Sequence, residues 1–275
     1  MNPSPRIITL TTDFGTSDAY VGIMKGVILG INPSVQIVDL THAIPPQDIY
    51  EAAFSIYAAH SYFPKATIHV IVVDPGVGSD RQAIVSRTDS AFFVCPDNGV
   101  LSYLLHEAEN EGRHTIDAVV IQNSAYYLPE VSNTFHGRDI FAPVAAHLSL
   151  GVPLEKIGPP IRNFVQLPIP KIDISGDTLI GQIIKIDRFG NLITNISKGA
   201  FEAFLNDDAG YEIRVGNTNL NRLNCAYAAA EIGEPLAIMG SSTLLEIAVN
   251  GGNAEKQLGL KRGVPAVIQK VRQKT

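Results

Sequence analysis

Tryptophan is absent from this chain of 275 residues, and cysteine occurs only twice, as Cys95 and Cys225. Two cysteines in different halves of the chain, outside any metal-binding or redox spacing, argue against a disulfide framework and predict buried free thiols. No apolar run reaches the roughly 18 residues that a membrane-spanning helix needs, and the N-terminus lacks a charged segment followed by an apolar core. We therefore expect a cytoplasmic protein with no membrane partner.

Basic residues are also sparse. The chain has 21 lysines and arginines against 27 acidic residues, which gives a net charge of −6, and it contains no basic block. This balance argues against nucleic acid as a partner and favours a small molecule. Apolar residues make up 45% of the chain and charged residues 17%, as is typical of a folded globular protein. The length favours two domains over one.

The first half of the chain alternates β-type and helical segments. β-rich runs are predicted at 7–13, 35–40 and 67–74, and helical apolar patterns at about 18–31 and 48–62. Strands that alternate with helices of this length form βαβ units. We therefore predict an N-terminal α/β domain with a mostly parallel sheet.

The most informative stretch of this half is the run that ends at Asp74. Residues 70–73 are continuously apolar and β-branched, as expected of a strand that is covered on both faces. Pro75, Gly76 and Gly78 then stop the strand and let the backbone approach a ligand. Asp74 is thereby predicted at the carboxyl end of a strand, where open α/β sheets bind ligands. The alternative is an aspartate that only caps its own turn.

Four further elements are predicted in the rest of this half of the chain. They are a β hairpin over 82–94, a helix at 100–106, a strand at 118–122 and an alanine-rich helix at 139–150. The N-terminus of that helix would direct its free N–H groups, together with His136, towards the strand ends.

A proline-rich stretch without sustained periodicity marks the domain boundary. We place the N-terminal α/β domain at 1–160, a linker at 161–175 and a C-terminal domain at 176–275. Short strands separated by glycine, asparagine and proline turns are predicted there at 178–186, 191–196, 211–215, 236–239, 245–249 and 266–271. This spacing favours a small antiparallel β-barrel or sandwich.

Acid–base side chains gather at the predicted strand ends and loop–helix junctions of the N-terminal domain, namely Asp13, Asp74, Asp97, His136 and Asp139. Such a cluster could bind a divalent metal for hydrolysis, or it could orient and polarise a water without one. No second histidine lies at a ligand spacing from His136, so we assign no metal ligands. Residues 76–78 match a phosphate loop only weakly, because the lysine and a directly following helix are missing.

Six segments, taken together and in order, resemble one known family. They are TTDFGTSD at 11–18, DPGVG at 74–78, PDNG at 96–99, FHGRD at 135–139, DRFGN at 187–191 and LEIAVN at 245–250. This set is similar to the S-adenosyl-L-methionine hydroxide adenosyltransferases, which are relatives of the fluorinase and the chlorinase. The resemblance covers nearly the whole chain.

The resemblance implies a fold, an assembly and a reaction. The family combines an N-terminal α/β domain with a C-terminal β-barrel domain and forms homotrimers that bind substrate at subunit interfaces. Water attacks the ribose C5′ carbon of S-adenosyl-L-methionine, which yields adenosine and L-methionine without a metal or an organic cofactor. Because the sulfonium is a good leaving group, catalysis needs in-line placement more than a strong acid.

The resemblance also assigns residues around the reacting carbon. Asp74, Arg81 and His136 match the family's triad around the attacking water, and Asp13 matches the aspartate that holds the ribose hydroxyls. The positive charge of Arg81 should make Asp74 a weak base, so orientation and polarisation of the water should matter more than full proton removal.

The remaining assignments fall in the C-terminal domain. Asp187 matches a carboxylate near the substrate's amino group, and Asn191 matches the amide that reads the adenine edge. Ser241 and Ser242 occupy the turn expected to hold the methionine part, although the family often has NSFG where this chain has GSST. Tyr227 is either the ring that stacks on adenine or a core tyrosine.

Two other functions remain open, namely a halogenase of the same fold and a nucleoside-binding module without turnover. Where the fluorinase has a tyrosine and a serine around its halide, this chain has Asp74 and Gly137. A carboxylate repels halide and attracts water. The insertion typical of the halogenases is also missing, since residues 81–97 form only a short hairpin. The sequence therefore favours a hydrolase.

Overall fold

The computed structural model describes residues 7–110, 117–205 and 210–271. The chain divides into two compact units, Met1–Pro168 and Ile169–Thr275. The predicted linker, residues 161–175, includes this boundary. No helix within the described ranges is both long and apolar enough to cross a membrane.

The first unit is built on a mixed sheet, which has six strands within the described residues. In chain order they are β1 (Ile7–Thr12), β2 (Gln36–Thr41), β3 (Thr67–Val72), β4 (Ala83–Arg87), β5 (Ala91–Pro96) and β6 (Asp117–Val120). Their order across the sheet is β2-β1-β3-β5-β4-β6. The first four strands in this order are parallel to one another, and β4 is antiparallel to both of its neighbours. The predicted α/β class and the parallel core of the sheet are confirmed.

Helices cover both faces of this sheet. They are α1 (Tyr20–Ile31), α2 (Ile49–Ala59), α3 (Ser102–Asn110), α4 (Ala142–Ser149) and the short α5 (Leu154–Ile157). Helices α1 and α4 contribute to one apolar core, and α2 and α3 contribute to another. Asp48 caps α2, because its side chain accepts a hydrogen bond from the Glu51 amide at 3.0 Å.

Strand β3 belongs to both cores. Val70 and Val72 lie in the core with α1 and α4, whereas Ile71 and Val73 lie in the core with α2 and α3. A strand covered on both faces requires the continuous apolar run that the sequence displays. Because β1, β3 and β5 are adjacent and parallel, the residues that follow them reach the same edge of the sheet.

The second unit is a curled sheet that has nine strands within the described residues. They are β7 (Asp173–Ser175), β8 (Thr178–Ile186), β9 (Leu192–Ser197), β10 (Gly210–Val215), β11 (Thr218–Leu220), β12 (Leu223–Asn224), β13 (Pro235–Met239), β14 (Leu244–Val249) and β15 (Pro265–Val271). The pairing follows β11-β10-β15-β8-β9-β14-β13-β12, and β7 also pairs with β8. Pairing is antiparallel except between β12 and β13. This confirms the predicted small antiparallel β domain.

The structure contains several short elements that the sequence did not predict. Strands β7, β11 and β12, helix α5, and two further helices, α6 (Lys198–Leu205) and α7 (Ala254–Leu258), were not expected. The predicted helix at 139–150 instead begins with a π-helical turn, Gly137–Phe141, that leads into α4. Both cysteines are free thiols, as predicted, but the predicted burial is confirmed only for Cys95 and is wrong for Cys225, which lies in an exposed loop.

Candidate functional site

Asp74 and Arg81 form an ion pair at the carboxyl edge of the parallel strands. Asp74 follows β3, and Arg81 precedes β4 after a tight loop. The Arg81 Nε lies 2.9 and 3.0 Å from the two carboxylate oxygens, and Nη2 also donates to Oδ2. The side chains are only 4% and 11% exposed, respectively. The carboxylate therefore has fixed geometry and a compensating charge.

The loop between these two residues depends on glycine. Gly78 has a φ of +77°, and a Cβ there would lie 2.3 Å from the backbone oxygen of Asn133. Amide hydrogen bonds from Val77 to Asp74 O and from Ser79 to Gly76 O, both 3.1 Å, close two successive turns. This compact loop returns the chain to Arg81 beside the residue that ended the strand.

His136 completes what we call the Asp74 cluster, which consists of Asp74, Arg81 and His136. Its Nδ1 lies 2.7 Å from Arg81 Nη2. Because a guanidinium can only donate, Nδ1 accepts, and a neutral ring then carries its proton on Nε2. Burial lowers the pKa of His136, and the Arg81 charge lowers it further, although Asp74 and Asp139 oppose this. The histidine is thus neutral near pH 7.

The other two acidic residues of this region have structural partners. Asp139 is fully buried, and its Oδ2 accepts hydrogen bonds from the Ser132 amide at 2.8 Å and hydroxyl at 2.9 Å. Asp97 accepts a hydrogen bond from the Val165 amide at 3.0 Å, and burial raises its pKa. Asp139 therefore fixes the loop that carries His136, and Asp97 fixes the segment around Val165.

Asp13 lies at the end of β1, the strand next to β3. Its Oδ2 accepts a hydrogen bond from the Gln47 amide at 2.8 Å. The loop that follows is held by His42, whose backbone oxygen accepts from the Gly15 amide at 2.8 Å. The His42 Nδ1 also lies 2.9 Å from Thr12 Oγ1. No hydrogen bond joins Asp13 to the Asp74 cluster within the described residues, although both occupy the same sheet edge.

In the second unit, Asp187 and Asn191 lie in one tight turn. The Asp187 Oδ1 accepts hydrogen bonds from the amides of Phe189 at 2.8 Å and Asn191 at 2.9 Å. The Asn191 Nδ2 donates to Asp187 Oδ2 at 2.9 Å. Gly190 has a φ of +87°, and a Cβ there would lie 2.2 Å from the Asn253 side chain. The turn fixes both predicted residues, and three of the acceptor positions of Asp187 are already used.

Tyr227 lies in a 3-10 turn, Tyr227–Ala229, with 43% of its surface exposed, so the interpretation as a core tyrosine is wrong. Its hydroxyl donates to Glu246 Oε1 at 2.6 Å. Burial, this hydrogen bond and the nearby acids raise the pKa of Tyr227 to about 12. Ser241 and Ser242 are exposed in the turn between β13 and β14.

Sequence reasoning assigned no role to two residues that the second unit presents near these positions. Phe189, in the Asp187 turn, is an aromatic residue with 74% of its surface exposed. Glu246 is a carboxylate with only 6% of its surface exposed in a strand of apolar residues. Both lie inside the segments that carry the family resemblance. The available signal for Glu246 was an acidic residue within an otherwise apolar strand.

Side chains that could ligate a metal are dispersed in the described part of the chain. Within 7–110, 117–205 and 210–271, no three histidine, cysteine, aspartate or glutamate side chains are grouped so that they could hold a metal ion. The acid–base groups of the Asp74 cluster are instead bonded to an arginine.

Comparison with known proteins extends these observations over the whole chain. The model of the SAM hydroxide adenosyltransferase N-terminal domain matches residues 8–158, and that of the C-terminal domain matches residues 181–267. An (R)-S-adenosyl-L-methionine hydrolase of Thermus thermophilus is 37% identical over 94% of this chain and 98% of its own. One from Methanocaldococcus jannaschii is 37% identical over 92% of both chains.

A more distant relative and a solved structure also match nearly the whole chain. A fluorinase of Actinoplanes is 28% identical over 96% of this chain and 97% of its own. The crystal structure of an uncharacterized conserved protein from Thermotoga maritima superposes with a TM-score of 0.87 at 38% identity, covering 95% of this chain and 99% of that one. The relatives named as hydrolases are thus more similar to the chain than this fluorinase is.

Proposed function

The chain belongs to the SAM hydroxide adenosyltransferase family, and from this membership we propose that it hydrolyses S-adenosyl-L-methionine to adenosine and L-methionine. Full-length relatives at 37% identity carry the name of this hydrolase. The observation that carries the proposal is the Asp74 cluster, in which a buried carboxylate, an arginine and a neutral histidine meet at the sheet edge.

The proposed reaction is a displacement at carbon. The water oxygen forms a bond to ribose C5′, the bond between C5′ and sulfur breaks, and its electron pair stays on the sulfur of L-methionine. One proton of the water is released. Because the positive sulfonium already leaves readily, the enzyme has to place the water in line with the C5′–S bond and limit competing solvent.

Asp74 is proposed to accept a hydrogen bond from the attacking water. Arg81 occupies three acceptor positions of this carboxylate and fixes its plane, so the remaining acceptor capacity has a defined direction. A water becomes much more acidic as its oxygen bonds to carbon, so a weak, well-placed base suffices late in the step. His136 is proposed to complete the hydrogen-bonding surface around this water.

The binding roles follow the family pattern. We propose that Asp13 holds the ribose hydroxyls, that Asn191 reads the adenine edge and that Tyr227 stacks on adenine. Asp187 is proposed to lie near the amino group, and Ser241 and Ser242 are proposed to hold the methionine part. The exposure of the Tyr227 ring supports its assignment, because a stacking surface has to be accessible.

We further propose a cytoplasmic homotrimer that has active sites at subunit interfaces and uses neither a metal nor an organic cofactor. The apolar surface of α1 supports an oligomer, since Tyr20, Ile23 and Leu29 are each at least 40% exposed there. Light scattering on the purified protein tests the assembly. A monomer at catalytic concentrations would contradict an active site shared between subunits.

The experiment that tests the function is incubation with S-adenosyl-L-methionine in the presence of a chelator, followed by chromatography. Adenosine and L-methionine in equal amounts are expected. Adenosine that forms only after a divalent metal is added would reject the metal-free mechanism. A parallel incubation with chloride or fluoride tests the halogenase alternative, which requires a 5′-halogenated nucleoside. Tight adenosine binding without turnover would favour the nucleoside-binding module.

A further inference from the structure

Glu246 is a buried acid on the outer face of the curled sheet. It lies in β14, whose alternate residues Leu245 and Ile247 belong to the apolar core of the second unit. Glu246 therefore points to the opposite face. On that face Ala248 packs with apolar residues of β13. An ionised side chain with 6% exposure among such neighbours is costly unless something compensates for it.

The two oxygens of this carboxylate have different surroundings. Oε1 accepts the Tyr227 hydroxyl at 2.6 Å. Oε2 accepts no hydrogen bond from any residue in the described part of the chain. It faces Gly240, and a Cβ at this glycine would lie 2.6 Å from Oε2. The absence of a side chain at Gly240 thus allows this close approach of backbone and carboxylate, and Oε2 retains its acceptor capacity.

The electrostatic surroundings of Glu246 are acidic. Burial raises its pKa, the hydrogen bond from Tyr227 opposes this, and the nearby charge of Asp187 raises the pKa further. Within the described ranges, neither Glu246 nor Asp187 forms an ion pair with a lysine or an arginine. These two residues, which we call the acidic pair, therefore lack a cation of the protein. A cationic ligand would remove both the burial cost and the repulsion.

We propose that Glu246 binds the primary ammonium group of the substrate's amino-acid part through Oε2, while Oε1 holds Tyr227 in place. The identity of the ligand rests on the proposed function. Asp187 alone is poorly suited to this task, since its own turn already uses three of its acceptor positions. An ammonium group has three donors, so one can bond to Oε2 while the others remain for further acceptors.

Two matched variants test the roles of the two Glu246 oxygens separately. Glu246→Gln keeps the size of the side chain and an oxygen acceptor for Tyr227 but removes the charge. Tyr227→Phe keeps the charge and removes the hydroxyl. Titration calorimetry with S-adenosyl-L-methionine, L-methionine and adenosine should show that Glu246→Gln weakens the first two ligands about tenfold or more, as expected for a lost charged partner. Adenosine affinity should change less than about twofold.

Tyr227→Phe should give the complementary pattern, with weaker adenosine binding and nearly unchanged L-methionine binding. An analogue of S-adenosyl-L-methionine that lacks the amino group adds a readout that a merely structural role would not change. Wild type and Glu246→Gln should bind this analogue equally. Gly240→Ala leaves the charge in place but puts a methyl group 2.6 Å from Oε2, so the carboxylate has to move. This variant should selectively weaken the binding of S-adenosyl-L-methionine and L-methionine.

Two results would overturn the inference. One is that Glu246→Gln lowers the affinity for adenosine as much as that for L-methionine, which would indicate general damage to the fold. The other is that Glu246→Gln leaves the affinities for S-adenosyl-L-methionine and L-methionine unchanged. Failure of the proposed function gives a different result, because the wild type would then form no adenosine from S-adenosyl-L-methionine. If the wild type bound neither ammonium ligand, the assignment of Glu246 would fall as well.

Discussion

Each unit of the chain contains a partly buried carboxylate at its candidate site, but only the first provides a cation for it. Asp74 is held by Arg81 on both oxygens, whereas the acidic pair of the second unit has no basic partner in the described residues. A compensated carboxylate suits a neutral ligand such as water, and an uncompensated pair suits a cation. The same residue type thus has opposite tasks, which are determined by whether the fold supplies an arginine.

The largest expected effect tests the compensated carboxylate. Asp74→Asn keeps the shape of the side chain but removes the charge that orients and polarises the water. Single-turnover rates should fall by a factor on the order of 10² or more, the usual scale for a positioned acid–base group, while substrate affinity changes little. Turnover at the wild-type rate would show that Arg81 and His136 carry the step without Asp74.

The next largest effect is expected from a substitution in the loop that returns the chain to Arg81. Gly78→Ala places a Cβ against the Asn133 backbone at a positive φ. We expect the free energy of unfolding to fall by about 1–3 kcal/mol, with a loss of turnover, because the ion pair is displaced. Gly199→Ala, in α6 with open space around it, is the control and should not destabilise the protein. Chemical denaturation measures both, and equal effects would contradict the role of the loop.

The two units should also differ in how their stability changes as the pH falls. His69 on β3 is fully buried, and burial, with a smaller effect of His60, lowers its pKa to about 3. The unfolded chain therefore binds a proton below pH ~6.5 that the folded first unit does not, so stability falls as the pH drops from about 6.5 towards 3. The contribution of Glu246 to the pH dependence of stability has the opposite sign, because its raised pKa favours protonation in the folded state.

Hydrogen exchange at pH 7 and pH 5 measures this difference unit by unit. His69 should cost the first unit about 2 kcal/mol at pH 5, and His69→Gln should remove most of that loss. Exchange in the second unit, which contains none of the chain's seven histidines, should be less affected. Equal acid destabilisation of both units, unchanged by His69→Gln, would contradict this explanation.

The smallest expected effect separates binding from chemistry within the first unit. Asp13→Ala should weaken substrate binding about tenfold through the lost ribose contacts. Its single-turnover rate at saturating substrate should change much less than that of Asp74→Asn. Calorimetry and rapid quench on both variants test the contrast. If Asp13→Ala lost turnover and kept affinity, the two assignments would have to be exchanged.

Much of the first unit could be predicted from the sequence because its signals are local. Apolar runs that end in Asp13 and Asp74 give both the strand and the position of the carboxylate at its carboxyl end. The parallel pairing of β1 and β3 then follows from the helices between them. The ion pair of Asp74 and Arg81 spans only seven residues, and its loop carries the glycines that the turn requires.

The second unit was less predictable because its key contacts are not local. Tyr227 and Glu246 are 19 residues apart and meet only because the chain folds back over the outer face of the sheet. Strands as short as β11 and β12 show no alternation that could be recognised. The π-helical turn before α4 likewise has no sequence period of its own, so the sequence predicted one α-helix from 139 where the structure has a π-helical turn from Gly137 and α4 from Ala142.

The most direct test of the central claim is the origin of the oxygen at C5′. The reaction should be run with S-adenosyl-L-methionine in water enriched in the heavy isotope of oxygen, and the adenosine analysed by mass spectrometry. Direct attack by water at the Asp74 cluster predicts adenosine that carries the heavy oxygen at C5′, formed much more slowly by Asp74→Asn. Adenosine without the label, or labelled adenosine formed equally fast by Asp74→Asn, would contradict the account.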